Sequence, residues 1–293
     1  MISNSRREFL QTGSLALIGA AFTPRLLAQV PEKKLFSAMG IAAPLDKAAL
    51  LKAAGAEFLT ESVGNFLVPE KDEAEFEKNL EKLKISPLPI LACNGFIRPA
   101  NLHCVGPDAN HDQILTWADT SFRRMKKAGG KFIVFGSAGS RKIPDGWTKE
   151  KADPQFVALL KLMGPLAEAQ GITVTIEQLR AEECNYINHL GEGATLIRAA
   201  NHPSIRMLAD LYHMASGGDT PDDLKAAMDV VVHVEIAEKV GRTVPGVSGD
   251  DFRPYFRVLR EANYQGSVSI EGKWTDANIG PAFKEMAKQA AEV

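Results

Sequence analysis

Beyond residue 30, apolar runs of about five residues alternate with longer stretches whose apolar positions recur every three or four. The short runs predict strands at Leu35–Met39, Glu57–Glu61, Leu88–Cys93, Lys131–Phe135, Thr173–Glu177, Arg206–Asp210, Val231–Glu235 and Ser267–Glu271. The stretches between them predict helices, as where Leu159, Leu162, Met163 and Leu166 precede Gly171. The segment 110–128 ends in Gly129-Gly130 and reads as a helix with its stop. Pro44-Leu45-Asp46, Asp153-Pro154 and Thr220-Pro221 read as helix starts, because proline suits a first turn where no N–H bond is lost. Strict alternation of strand and helix predicts a parallel sheet. Eight units predict that it closes into an α/β, (β/α)₈ TIM barrel in one domain, residues 31–293. A doubly wound sheet would carry a Gly-rich phosphate loop after its first strand, and Met39-Gly40-Ile41-Ala42 is not one.

Side chains alternate across a strand. If Glu177 points into the barrel, Thr175 and Thr173 do too, while Val174 and Ile176 face the helices. The same holds for Glu271 with Ser269 and Ser267, against Val268 and Ile270. His233 shares its face with Val231 and Glu235. Polar groups therefore gather inside the barrel mouth and apolar ones outside. Long connections at 94–110 and 136–153 follow the third and fourth strands, where lids and substrate walls form.

Composition narrows the function classes. Hydrophobic residues at 45% and charged residues at 24% are ordinary for a globular domain, and a net charge of −2 offers no basic face for nucleic acid. Cys93, Cys104 and Cys184 lack Cys-x-x-Cys spacing, so at most one bridge forms, Cys93 with Cys104. Residues 1–30 differ from the rest. Arg6-Arg7-Glu8-Phe9-Leu10 precedes an apolar stretch over 15–22, too short to span a bilayer, with Ala28 as a candidate cleavage residue. This pattern predicts a twin-arginine signal peptide and a periplasmic protein, free of the membrane once the signal is removed.

The chemistry lies at the strand ends. Glu177, Asp210, His233 and Glu271 occupy one rim, where active sites of such barrels sit. Carboxylates and an imidazole suit one divalent metal ion, Mn²⁺, Co²⁺, Mg²⁺ or Zn²⁺. Glu183, His213 and Arg242 add polar groups for substrate hydroxyls and a carbonyl.

These residues carry a resemblance. Ile176-Glu177 through Glu183-Cys184-Asn185-Tyr186-Ile187-Asn188, Asp210-Leu211-Tyr212-His213-Met214, His233-Val234-Glu235-Ile236-Ala237 through Gly241-Arg242-Thr243-Val244-Pro245-Gly246, and Ile270-Glu271-Gly272 resemble the sugar phosphate isomerase/epimerase family with the xylose-isomerase-like barrel. Its members include ketose 3-epimerases and hydroxypyruvate isomerase. The resemblance implies that Glu177, Asp210, His233 and Glu271 hold the metal, that Glu177 and Glu271 are also the catalytic acid and base, and that Glu183, His213 and Arg242 bind substrate. The chain departs from the ketose epimerases in its longer segment between His233 and Arg242, nearer the hydroxypyruvate isomerase pattern, and in Lys273 and Trp274, two further substrate-binding candidates.

The expectation is an isomerase or epimerase of a sugar or sugar-like hydroxyketone, moving a proton through a metal-stabilised enediolate. Its partner is a small carbohydrate, with no nucleic acid involved and homo-oligomers allowed. The same site could instead run a lyase or glycoside-cleaving reaction on a keto-glycoside, and a periplasmic sugar-binding protein is the non-enzyme alternative.

Overall fold

The computed structural model describes residues 34–293. The twin-arginine reading falls on earlier residues and so lies outside the described ones. Eight parallel strands close in chain order into a barrel: β1 (Met39–Ala42), β2 (Phe58–Ser62), β3 (Ile90–Asn94), β4 (Phe132–Phe135), β5 (Thr173–Glu177), β6 (Ile205–Asp210), β7 (Val231–Ile236) and β8 (Ser267–Ile270). Helices follow the strands and pack outside them. Their buried apolar faces, such as Phe156, Leu159, Leu160 and Met163 of the helix Lys149–Gln170, meet the outward strand residues Val174 and Ile176 in one core. No described helix is long and apolar enough to cross a membrane.

Two helix ends behave as their sequences require. Asn110 accepts from Gln113 N–H at 3.1 Å to start His111–Lys127. Thr220 and Asp223 form a reciprocal capping box around Pro221. Asp153-Pro154 is not a helix start: the helix begins four residues earlier, at Lys149, and carries Pro154 inside it. The first strand is displaced as well. Leu35 and Phe36 are buried but lie before β1, with Phe36 edge-on to Phe256 and Tyr264 at ring separations of 5.2 and 6.4 Å. The strand proper runs through Gly40, where a Cβ would fall 2.3 Å from the Phe58 ring. All three cysteines are buried and free, so no Cys93–Cys104 bridge forms.

Register sets the height of every inward side chain. β6 and β7 pair Asp210 with Glu235 and Leu208 with His233, after an irregularity at Met207/Leu208. The barrel interior is therefore layered. Phe58, Phe132 and His233 fill a lower layer, with the His233 ring stacked on Phe132 at 5.1 Å and tilted against Phe58 at 6.3 Å. Thr60 and Ser269 share a hydrogen bond at 3.0 Å. The acidic residues crown the top.

Candidate active site

Glu177 ends β5 with its carboxylate against Gly136, the residue after β4. A Cβ at position 136 would lie 2.2 Å from Glu177 Oε2, so glycine there is what lets the carboxylate occupy its place. Asp210 ends β6 and also caps the next helix. Its Oδ1 accepts from the N–H groups of Tyr212 (2.7 Å) and His213 (3.1 Å), which holds the carboxylate rigidly. That leaves Oδ2 buried without a hydrogen-bond partner. Glu271 follows β8, accepting from Asn94 Nδ2 at 2.7 Å and from Arg242 Nη2.

Glu235 completes the group. It is fully buried, and neither carboxylate oxygen has a hydrogen-bond partner. Oxygens of Glu177, Asp210, Glu235 and Glu271 all lie within 4.8 Å of one another; a smaller group joins Glu177, Asp210 and His213. Unpaired buried carboxylates are costly, and the cost rises when they share one pocket. Burial and the charges of Glu271, Glu177 and Asp210 push the Glu235 carboxyl far above its ordinary value. Burial and Glu177 raise Glu271 to about 7, against the pull of Arg242. Orphaned oxygens converging on one point fit a divalent cation, which takes oxygen ligands and offsets their charge.

His233 is not brought to this cluster. It sits one layer lower, its Nδ1 paired with Ser267 Oγ at 2.9 Å, and burial depresses it to about 3, so the imidazole stays neutral. The nearby imidazole is His213, whose Nε2 lies 3.5 Å from Glu177 Oε1 and 3.7 Å from Asp210 Oδ2. Burial opposes its cation, but those two carboxylates outweigh burial and raise it to about 9.

Arg242 spans the mouth. Its guanidinium lies 4.7 Å from the Tyr212 ring centroid, donates from Nε to the Glu271 carbonyl at 3.2 Å, and lies 3.7 Å from both Asp210 and Glu183. Burial works against its charge, but the carboxylates of Glu271, Asp210, Glu177 and Glu183 outweigh burial and raise its pKa. Glu183 also accepts from Arg180 Nε at 2.7 Å. Arg242 has a left-handed backbone, φ 53°, unusual for a side chain of this size. Glu238 holds the loop in that shape. Its buried carboxylate accepts from the N–H groups of Gly246 (2.8 Å), Gly249 (2.9 Å), Asp250 (3.3 Å) and Ser248, and from Thr243 Oγ1 (2.9 Å).

Glu183, His213 and Arg242 thus meet the acidic cluster, as their sequence positions suggest, whereas Lys273 and Trp274 do not. β8 ends at Ile270, so strand parity no longer governs position 273. The Lys273 backbone N–H bonds the Arg242 carbonyl at 2.7 Å while its side chain is exposed, and Trp274 packs half-buried against the core. Sequence reasoning passed over Glu235, Asn94, Gly136 and Glu238 as site residues. The signal for Glu235 was present: it shares the inward parity of His233 and lies nearer the strand's C-terminal end.

Comparison with known proteins identifies the family of the fold. The model of the xylose isomerase-like TIM barrel family matches residues 45–292. A putative hydroxypyruvate isomerase of Danio rerio is 28% identical over 123 residues, 40% of this chain and 45% of its own length. A 3-dehydro-D-guloside 4-epimerase of Escherichia coli is 29% identical over 176 residues, 55% of this chain and 64% of its own. The chain thus spans about half to two-thirds of the length of these curated relatives. A crystal structure of the IolI protein with a bound zinc atom superposes with a TM-score of 0.68 at 16% identity, covering 87% of this chain and 98% of that one.

Proposed function

The chain belongs to the xylose isomerase-like TIM barrel family, and from that premise we propose that it is a sugar isomerase or epimerase dependent on one divalent cation. The observation that carries the reading is the convergence of three buried carboxylates and the partly buried Glu271, three of their oxygens without a hydrogen-bond partner, at the C-terminal mouth of the barrel. Glu177, Asp210, Glu235 and Glu271 would hold the cation. When bound, it would polarise a substrate carbonyl as a Lewis acid, a contribution of several kcal/mol.

The chain's own groups then account for the proton movements. Glu177 and Glu271 come from β5 and from the end of β8, on opposite sides of the mouth. A carbonyl lowers the acidity barrier at the neighbouring carbon, so one carboxylate can take that proton and the other can return one to the opposite face. General acid–base help of this kind contributes roughly 10²–10⁴-fold. Arg242 and Glu183, partly exposed at the rim, are placed to bind substrate hydroxyls. His213, buried below them, orients the Glu177 carboxylate.

The substrate class proposed is a ketose or a keto-glycoside, supported by the names of the relatives, which include a dehydro-glycoside epimerase. Export through residues 1–30 is part of the same proposal, and places the enzyme among extracytoplasmic sugars. Incubation of the metal-supplemented protein with candidate ketoses and keto-glycosides in D₂O tests it. Deuterium in recovered, rearranged sugar is expected. Release of an aglycone would make the enzyme a lyase, and binding with neither outcome would make it a receptor.

A further inference from the structure

We infer that the cation centre is built from oxygen alone and favours a hard divalent ion, with Glu235 as the residue that sets this preference. The inference rests on the reading above, that the acidic cluster holds a cation.

Two imidazoles lie near enough to matter. His233 lies on the level of Leu208, not of Asp210, with Nδ1 taken by Ser267 and its ring stacked on Phe132. It is absent from both groups of converging ligand atoms. His213 is closer, but the main-chain N–H of Arg180 points at its Nδ1 at 3.2 Å. With that N–H on the Nδ1 side and two carboxylates on the other, a ring proton sits on Nε2. It is Nε2 that faces Glu177 and Asp210, at 3.5 and 3.7 Å. A protonated Nε2 offers these carboxylates an N–H and has no lone pair left for a metal. Neither imidazole therefore offers a nitrogen to the centre: His233 Nε2 is buried without a partner but lies a layer lower, and His213 Nε2 carries a proton.

What remains is four carboxylates, in which both oxygens of Glu235 and Oδ2 of Asp210 have no hydrogen-bond partner, Glu235 being the one with neither oxygen satisfied. Carboxylate oxygens suit Mg²⁺, Ca²⁺ and Mn²⁺, whereas imidazole suits Zn²⁺ and its neighbours. Zn²⁺ binds most sites more tightly than Mn²⁺ in absolute terms, so the signature is the ratio of the two affinities. Replacing Glu235 by histidine would put a nitrogen at the same height as Asp210 and widen that ratio in favour of zinc.

The test uses the full-length protein stripped of metal. Mn²⁺ is titrated with free Mn²⁺ read by electron paramagnetic resonance, followed by competition with Zn²⁺, in the wild type, Glu235→His and Glu235→Gln. The Mn²⁺/Zn²⁺ dissociation-constant ratio is expected to move toward zinc by at least about tenfold in Glu235→His. In Glu235→Gln, which keeps an oxygen donor, both ions should weaken with the ratio little changed. Zinc K-edge absorption of the zinc-loaded wild type provides a readout independent of variant folding, and an oxygen-only first shell is expected. An unchanged ratio in a folded Glu235→His, or imidazole-ring scattering from the wild type, would overturn the oxygen-only centre while leaving a metal enzyme intact. Failure of the wild type to bind either ion would instead overturn the proposed function itself.

Discussion

Two residues of β7, Glu235 and His233, point to the same side of the same strand and are separated by a single intervening valine. At the level of Glu235 the neighbours are Glu177, Asp210 and Glu271, and its oxygens lack partners. At the level of His233 the neighbours are two phenylalanine rings and a serine hydroxyl that satisfies one ring nitrogen. One level is under electrostatic tension that a ligand can relieve; the other is a packed interior with one polar anchor. In a closed parallel barrel, parity decides which residues look inward, but height along the strand decides what they meet. The difference between a carboxylate of the acidic cluster and a core imidazole here is one step of two residues.

That contrast can be broken by experiment. The largest effect is expected at the upper level: Glu235→Ala should lower turnover by roughly 10²–10⁴-fold, similar to loss of a catalytic acid or base, and should collapse cation uptake measured by elemental analysis. His233→Leu, one layer down, should retain the cation; its loss in that variant would return the imidazole to the centre. The second effect is in stability. Folding holds the His233 imidazole at about 3, below its ordinary value of 6.5. Between those limits the unfolded chain takes up a proton that the folded chain refuses, so this group's stabilisation is present above pH 6.5 and is lost as pH falls. The slope is at most about 1.4 kcal/mol per pH unit. Denaturant titrations of His233→Leu should show a flatter decline on the acid side, and an unchanged decline would mean that the ring is not the group responsible. The smallest effect is expected outside both levels. Lys273→Met alters an exposed side chain, and such changes usually stay within about 0.5 kcal/mol, so kcat/KM should move by about twofold or less. A large loss would bring this ammonium into the site after all.

Much of this was legible in the residues, and the exceptions share a cause. Thr173–Glu177 could be read to the residue, because alternating threonine against valine and isoleucine ends in an acid at the point where the strand stops. Glu177, Asp210 and Glu271 followed from the same logic. β1 was misplaced because Leu35 and Phe36 are apolar for a different reason, packing on Phe256 and Tyr264, while the strand itself uses a glycine whose place is set by a ring from β2. His233 meets the core and Glu235 meets the carboxylates because of register. The irregularity between Met207 and Leu208 fixes the relative height of β6 and β7, and no local signal in either strand announces it. Gly136 and Glu238 are hidden for a related reason. One matters through a carboxylate on the next strand, the other through a loop that folds back over five of its own donors.

The orphaned oxygens of Glu235 also tie the proposed cation centre to the proton balance of the cluster. Without a cation, the cluster can pack only by keeping protons on Glu235 and, below about pH 7, on Glu271, while Arg242 neutralises part of the remaining charge. Protons on these carboxyls offset part of the repulsion within the cluster. Loading then becomes an exchange, in which the incoming ion expels protons to the solvent. Acidification would drive that exchange backwards, so cation affinity at the proposed centre should fall with pH.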